Sequence, residues 1–144
     1  MKLISLLLIL SSFPLAGLAQ DDDYSEIQNT VRNYVEGWRN GDEKQLSKAF
    51  DYDAGVVLWI DSKEKPEKLR SMTLYDLAQK VKPHENYGIG YTIESLNVID
   101  AELATITVKI PLQNNYYIDC LQLQKINGNW KIVLKSFVYF REGN

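Results

Sequence analysis

Tyr117-Ile118-Asp119-Cys120-Leu121-Gln122-Leu123, leading through Lys125 and Asn127-Gly128 to Trp130-Lys131-Ile132-Val133-Leu134, carries the strongest structural signal in the chain. Asparagine-glycine between two alternating apolar runs marks a two-residue hairpin, because both central positions of that turn need positive φ. Centring the turn there pairs Leu123 with Ile132, Leu121 with Leu134 and Asp119 with Ser136. Upstream, Asn114-Asn115 can make the preceding turn, which pairs Ile106 with Leu123, Val108 with Leu121 and Ile110 with Asp119. The two registers are set independently, yet both place Asp119 on the apolar face of Leu121 and Leu123. Strand side chains alternate, so a slip of one residue would reverse every one of them, and the agreement is informative. A carboxylate on an apolar face is either held by a structural partner or works in a pocket.

Working outward, about four strands follow Tyr91. Asp100-Ala101-Glu102 is a turn, and the uneven alternation of Leu96, Val98 and Ile99 suggests a bulge. Tyr116, Ile118, Val133, Phe137 and Tyr139 fall on the opposite face, which is therefore apolar too. A sheet that is apolar on both sides needs a cover on the outside, most simply a second copy of the chain, or else a flanking N-terminal segment.

Before the strands the periodicity is helical. Ile27, Val31, Tyr34, Val35 and Trp38 form one stripe, and Asn40-Gly41 ends it with a left-handed cap. Asp42 with Gln45 reads as a capping box for a second helix, with Leu46, Ala49 and Phe50 inside. Val56–Ile60 is a short strand. The charged stretch from Ser62 to Arg70, with Pro66, reads as a solvated hairpin at a sheet edge. Lys63, Lys65, Lys68 and Arg70 could instead form a basic patch, but Glu64 and Glu67 interleave with them. Thr73 and Asp76 cap a third helix, whose inner residues are Leu74, Leu77, Ala78 and Val81 and which Pro83 stops.

Lys2, the apolar run Leu3–Leu10, Pro14 and the small residues Ala16, Gly17 and Ala19 have the shape of a secretory signal peptide, cut after Ala19. The run is too short to span a bilayer comfortably, and no cysteine stands at the cut for a lipid anchor. Residues 1–19 are the expected leader and 20–144 one mature domain of 125 residues, exported to a periplasm or the outside. Loss of Lys2 moves the formal net charge from −3 to −4. A mildly acidic chain without a basic stripe is a poor partner for nucleic acid or an anionic membrane. Cys120 is the only cysteine, so an internal disulfide is excluded and an intermolecular one is left open.

Three helices followed by a long bent antiparallel sheet resemble the conical α+β fold of the nuclear transport factor 2-like (cystatin-like) superfamily. Tyr34-Val35-Glu36-Gly37-Trp38-Arg39-Asn40-Gly41-Asp42, then Ala49-Phe50 with Asp53-Ala54, then the hairpin quoted at the outset, resemble its "putative lumazine-binding" branch. The superfamily holds isomerases, dehydratases, cyclases, binding proteins and transport factors, so fold alone does not give function. The resemblance implies a cone wrapped around the helices and dimerisation through the outer sheet face. Nothing in these residues reads as a pterin site, and no cofactor is expected.

Within such a cone, Tyr34, Trp38, Trp59, Tyr117, Asp119 and Ser136 are the candidate lining. Aromatic walls with a few polar groups suit a small, partly apolar molecule; the same aromatics also serve as ordinary core. Asp119, desolvated, could act as general acid or base, or merely accept hydrogen bonds from Ser136, a tyrosine or a tryptophan. Asp53 reads as a turn residue. His84 is the only histidine, and no glycine-flanked serine accompanies it, which argues against a serine hydrolase. No metal-ligand spacing, phosphate loop or dinucleotide fingerprint is present. His84 to Gly88, with Gly90 beyond, could form a lid. Three functions stay open: a binding protein without turnover, an isomerase or dehydratase with Asp119 as base, and an interaction module that uses the outer face.

Overall fold

The stripe Ile27, Val31, Tyr34, Val35 and Trp38 lies on one face of α1 (Ala16–Asn40), its first four members almost fully buried. The computed structural model describes residues 16–63, 65–84 and 90–141. The start of the expected leader and most of the expected lid lie outside the described residues. Gly41 ends α1 with φ +65. Asp42 then accepts a hydrogen bond from the Gln45 amide and opens α2 (Glu43–Ala49). Thr73 caps α3 (Leu74–Gln79) in the same way through the Asp76 amide. These starts are legible because an N-cap oxygen satisfies amides that the helix itself leaves open. Among the described residues no helix is long and apolar enough to cross a membrane.

The strands are β1 (Val56–Asp61), β2 (Lys68–Thr73), β3 (Thr92–Val98), β4 (Leu103–Pro111), β5 (Asn115–Ile126) and β6 (Asn129–Arg141). They form one curved, unclosed sheet in the order β2-β1-β6-β5-β4-β3, antiparallel except where β1 runs parallel to β6. The expected charged hairpin is β1–β2, and it is indeed at the edge. The third helix sits between β2 and β3, so it follows two strands of the sheet. Ile27, Leu46, Phe50, Val57, Ile106, Leu121, Leu123 and Ile132 are among the residues of a single core between helices and sheet. The bulge in β3 lies between Ile93 and Ser95, slightly earlier than the uneven alternation suggested.

Two register expectations need correction. Pro111 pairs with Tyr116, and the Leu112 amide donates to the Asn115 carbonyl, so the turn centres on Gln113-Asn114. Ile106 therefore faces Leu121, and Val108 faces Asp119. A turn placed one residue earlier moves every pair by two rungs and leaves the faces unchanged. Asn127 (φ 50) and Gly128 (φ 79) do make the expected second turn, and Leu123 does pair with Ile132. Past that point a bulge intervenes between Gln122 and Leu123. Leu121 faces Lys135, Cys120 faces Ser136 and Asp119 faces Phe137. Val133 is the extra residue. β6 begins its parallel ladder with β1 at Leu134, one residue later, while Phe50 bridges to Ile132 just before. A strand serving neighbours on both sides bends and steps at such a place.

The start of α1 is tied to the far hairpin. Asp23 accepts hydrogen bonds from Lys125 Nζ (2.7 Å) and from the buried indole Trp130 Nε1 (3.0 Å). Thr30 also donates to the Trp130 carbonyl. The hydrogen bonds from Lys125 and Trp130 hold the Asp23 carboxyl below its usual range. Asp23→Ala is expected to cost about 1–3 kcal/mol by leaving the buried indole N–H without an acceptor, measured by urea unfolding. Because the folded-state pKa is depressed, the contribution is complete above the unfolded value of 3.8 and fades as pH falls through the folded one. The variant should show less acid sensitivity than the parent; equal sensitivity would discount the latch.

Candidate functional site

A cleft opens between α1, α3 and the concave side of the sheet. Tyr34 and Trp38 enter it from α1, one helical turn apart, with Leu77 from α3. Ile110 comes from β4, Tyr117 and Asp119 from β5, and Lys135 and Phe137 from β6. The free volume is about 80 Å³. Such a volume suits a small molecule, or one end of a larger molecule that emerges at the mouth. At the mouth Trp38 stacks on His84, with ring centroids 5.5 Å apart, and burial lowers the imidazole pKa.

The floor is polar. Asp119 is 1% exposed. Tyr34 Oη donates to Asp119 Oδ2, and Lys135 Nζ lies 2.8 Å from Asp119 Oδ1. Among the described residues no other hydrogen bond reaches Oδ1, and the lysine ammonium is the polar group that meets that oxygen. The Lys135 ammonium also sits 4.6 Å from the centroid of Phe137 and 5.5 Å from that of Tyr34. Aromatic faces attract a cation without supplying a hydrogen bond. Burial pushes the Lys135 pKa below the usual lysine range, against the opposing pull of Asp119. Burial also raises Tyr117, with Tyr139 and Asp119 adding to the effect, so that phenol stays neutral.

Among the sequence candidates, Tyr34, Trp38, Tyr117 and Asp119 come together in this cleft. Trp59 packs on the core from β1 and edges a neighbouring groove with Phe137 and Tyr139. Ser136 pairs with Cys120 and faces outward with it. The bulge is the reason: past Val133 the faces of β6 exchange, so Lys135 takes the inner place expected of Ser136. The same exchange removes Phe137 and Tyr139 from the outer face, where they pair with Asp119 and Tyr117 on the inner side. Tyr116, Ile118, Val138 and Phe140 are outside, with Tyr116 stacked on Phe140 at 4.9 Å. Val133 itself is half-buried at the bulge. Sequence reasoning missed Lys135. The available signal was a lone cation inside Ile132-Val133-Leu134-Lys135-Ser136-Phe137, across one hairpin from a lone acid.

Asp53 is exposed, beside the turn in which Asp51 accepts from the Ala54 amide. Lys65 and Arg70 lie 3.6 and 3.8 Å from Glu67 and Asp61, so those two cations have acidic neighbours.

The profile of the "Putative lumazine-binding" family matches residues 22–138. The chain belongs to that family. The family match covers α1 from its second turn through β6 to Val138, including all eight residues of the cleft. A relative, the aldolase FrzH of Cladobotryum sp, is 28% identical over 125 residues, covering 80% of this chain and 90% of that protein. Among solved structures, a nuclear transport factor 2-like protein of unknown function from Shewanella baltica OS155 superposes with a TM-score of 0.69 at 18% identity. It covers 91% of this chain and 100% of its own. A type 2 hexachlorocyclohexane dehydrochlorinase, LinA, superposes with a TM-score of 0.55 at 14% identity over 89% of this chain and 94% of its own. At these identities the structural likenesses establish the nuclear transport factor 2-like fold of this family member, and the fold only.

Proposed function

We propose that this member of the family is an exported protein that binds a small, partly apolar molecule in the cleft. The observation that carries the reading is an apolar, aromatic-walled cleft whose floor is a buried carboxylate, phenol and amine. Burying three such groups is costly, and an ordinary core has no use for them at the bottom of an opening. The leader at residues 1–19 supports export. The finer architecture that suits this reading is a cone, its sheet wrapped around the helices. The test is native mass spectrometry of the mature protein, followed by binding assays with whatever compound is retained. Ile110→Trp, which fills the cleft, should weaken binding of that compound at least about tenfold, a loss of roughly 1.4 kcal/mol. Unchanged binding would move the ligand elsewhere.

A second reading is supported by the same floor and by the aldolase relative. Asp119, with Tyr34 and Lys135 fixing its two oxygens, is then the general acid or base that moves a proton on the bound molecule. Positioned proton transfer is worth about 10²–10⁴ in rate. Asp119→Asn should lose that factor in turnover while changing binding by a small factor; a variant that turns over normally leaves only the binding reading.

The outer face is proposed as the homodimer contact. Ile60, Leu69, Val138 and Phe140 are large exposed apolar side chains on that side of β1, β2 and β6, a density that monomers seldom leave open. Phe140→Glu should give a monomer at concentrations where the parent is dimeric by light scattering. A parent that is already monomeric would end the proposal.

A further inference from the structure

We infer that the cleft's ligand is a carbonyl compound, an aldehyde or ketone with an apolar body, and that Lys135 captures it as an imine. The inference deepens the cleft-binding reading and rests on it. Its basis is position. Among the described residues Lys135 Nζ is the only amine lining the cleft, on an almost fully buried side chain, among the rings of Tyr34 and Phe137. Lysines of surface proteins keep their ammonium in water; this one has one carboxylate oxygen and two ring faces around it.

A solvated ammonium is no nucleophile, because its lone pair is taken by the proton. An amine in an apolar pocket gives that proton up more readily, which is how buried lysines become Schiff-base formers. Burial works in that direction here. Asp119 Oδ1, 2.8 Å away, is the base placed to take the proton. The groups facing the amine are Asp119 from β5, Tyr34 from α1 and Phe137 from β6, with the Cys120 thiol of β5 near enough to act on its charge.

The step balances without an added reactant. The ammonium passes a proton to Asp119, and the freed lone pair bonds to the carbonyl carbon. The proton on the now positive nitrogen passes to the negative oxygen to give a neutral carbinolamine. Asp119, with the Tyr34 hydroxyl beside it, returns a proton to the leaving hydroxyl, which departs as water while nitrogen forms the C=N bond. The product is a protonated imine whose positive charge replaces that of the ammonium opposite Asp119. Asp119 therefore faces a cation as a carboxylate at the start and at the end, and is a neutral acid beside a neutral nitrogen in between. The apolar walls at Ile110, Tyr117 and Phe137 suit the carbon body of the ligand and exclude water that would reverse the reaction.

The experiment uses the mature full chain, benzaldehyde as probe and cyanoborohydride as trap, read by intact mass and peptide mapping. Benzyl alcohol, of the same shape but without the carbonyl, reports the cleft itself through ligand-detected nuclear magnetic resonance and through competition. The expected result is one adduct, heavier by benzaldehyde less its oxygen, on Lys135. Since burial favours the neutral amine and the cleft holds the probe against it, labelling at Lys135 should outpace that of any surface lysine at least severalfold. Benzyl alcohol should slow it, and Lys135→Arg, which keeps the charge opposite Asp119, should abolish it. Circular dichroism and benzyl alcohol binding check that this variant is folded. Should it not fold, protection of Lys135 by benzyl alcohol in the parent chain decides instead.

Benzyl alcohol binding with adducts spread over surface lysines would overturn the imine and leave the cleft reading standing. Absence of both binding and adduct, with these and related apolar probes, would overturn both.

Discussion

Lys135→Met should lower the unfolding free energy by about 3–5 kcal/mol, the usual cost of breaking a buried ion pair by removing one member. The substitution keeps most of the length of the side chain and its packing against Phe137. It leaves the Asp119 carboxylate, 1% exposed, with only the Tyr34 hydroxyl. The size of the loss reflects that abandoned charge more than the worth of the pair itself. A buried pair replaced as a whole by apolar groups is often neutral or stabilising. Combining Lys135→Met with Asp119→Leu and Tyr34→Phe should therefore recover most of the loss and produce a stable protein with a dead cleft. The alkaline side gives an independent check. Burial holds the folded-state lysine below the ordinary value of 10.5. Between the two values the unfolded chain binds more protons, so the parent gains stability as pH rises through that interval. Lys135→Met should lose this slope. If the single variant costs under about 1 kcal/mol, the carboxylate finds water when its partner is removed, and the floor of the cleft is open to solvent.

Phe50→Ala should cost about 3–5 kcal/mol, in the range of buried aromatic truncations. Phe50 is almost fully buried, its ring centroid lies 5.4 Å from that of Tyr34, and its backbone bridges α2 to Ile132 of β6. It is the wall behind the residue that holds Asp119. The consequence for the site is separate from that for stability. Without the ring, Tyr34 loses its backing, so the hydroxyl that fixes Asp119 Oδ2 should wander. Phe50→Leu restores most of the volume and should recover both properties. Urea unfolding measures the first effect and ligand affinity the second. A truncation that destabilises yet leaves affinity untouched would show that Tyr34 is positioned from the sheet side alone.

The readable parts of this chain were those with local causes. Asp42 and Thr73 declare helix starts because a cap satisfies amides within three residues. Asn127-Gly128 declares its turn because its dihedral needs are met by those two residues. The stripe on α1 gave the inner wall, and alternation along β5 gave Asp119 its inward direction. Asn114-Asn115 misled because neither residue takes positive φ, and the turn one residue earlier, on Gln113-Asn114, closes without it. The bulge at Val133 has no local mark. It follows from β1 docking on β6 at Leu134, a contact between residues nearly 80 apart in sequence (134 − 56 = 78). The misplacements in β6 follow from that one step, Ser136 for Lys135 and Phe137 and Tyr139 on the wrong face, whereas Trp59 of β1 lines the neighbouring groove for a separate reason, its place one strand further along the sheet.

That step gives β6 two reading frames against β5. In one, Leu134 and Ser136 look inward and the lysine returns to water; in the other, the amine is interior and Val133 is set aside. Composition hardly distinguishes them, since each frame presents apolar groups to the core. The acid does distinguish them, because only one frame brings it a counter-charge. The salt link that arms the cleft therefore also reinforces the frame that the docking of β1 at Leu134 imposes.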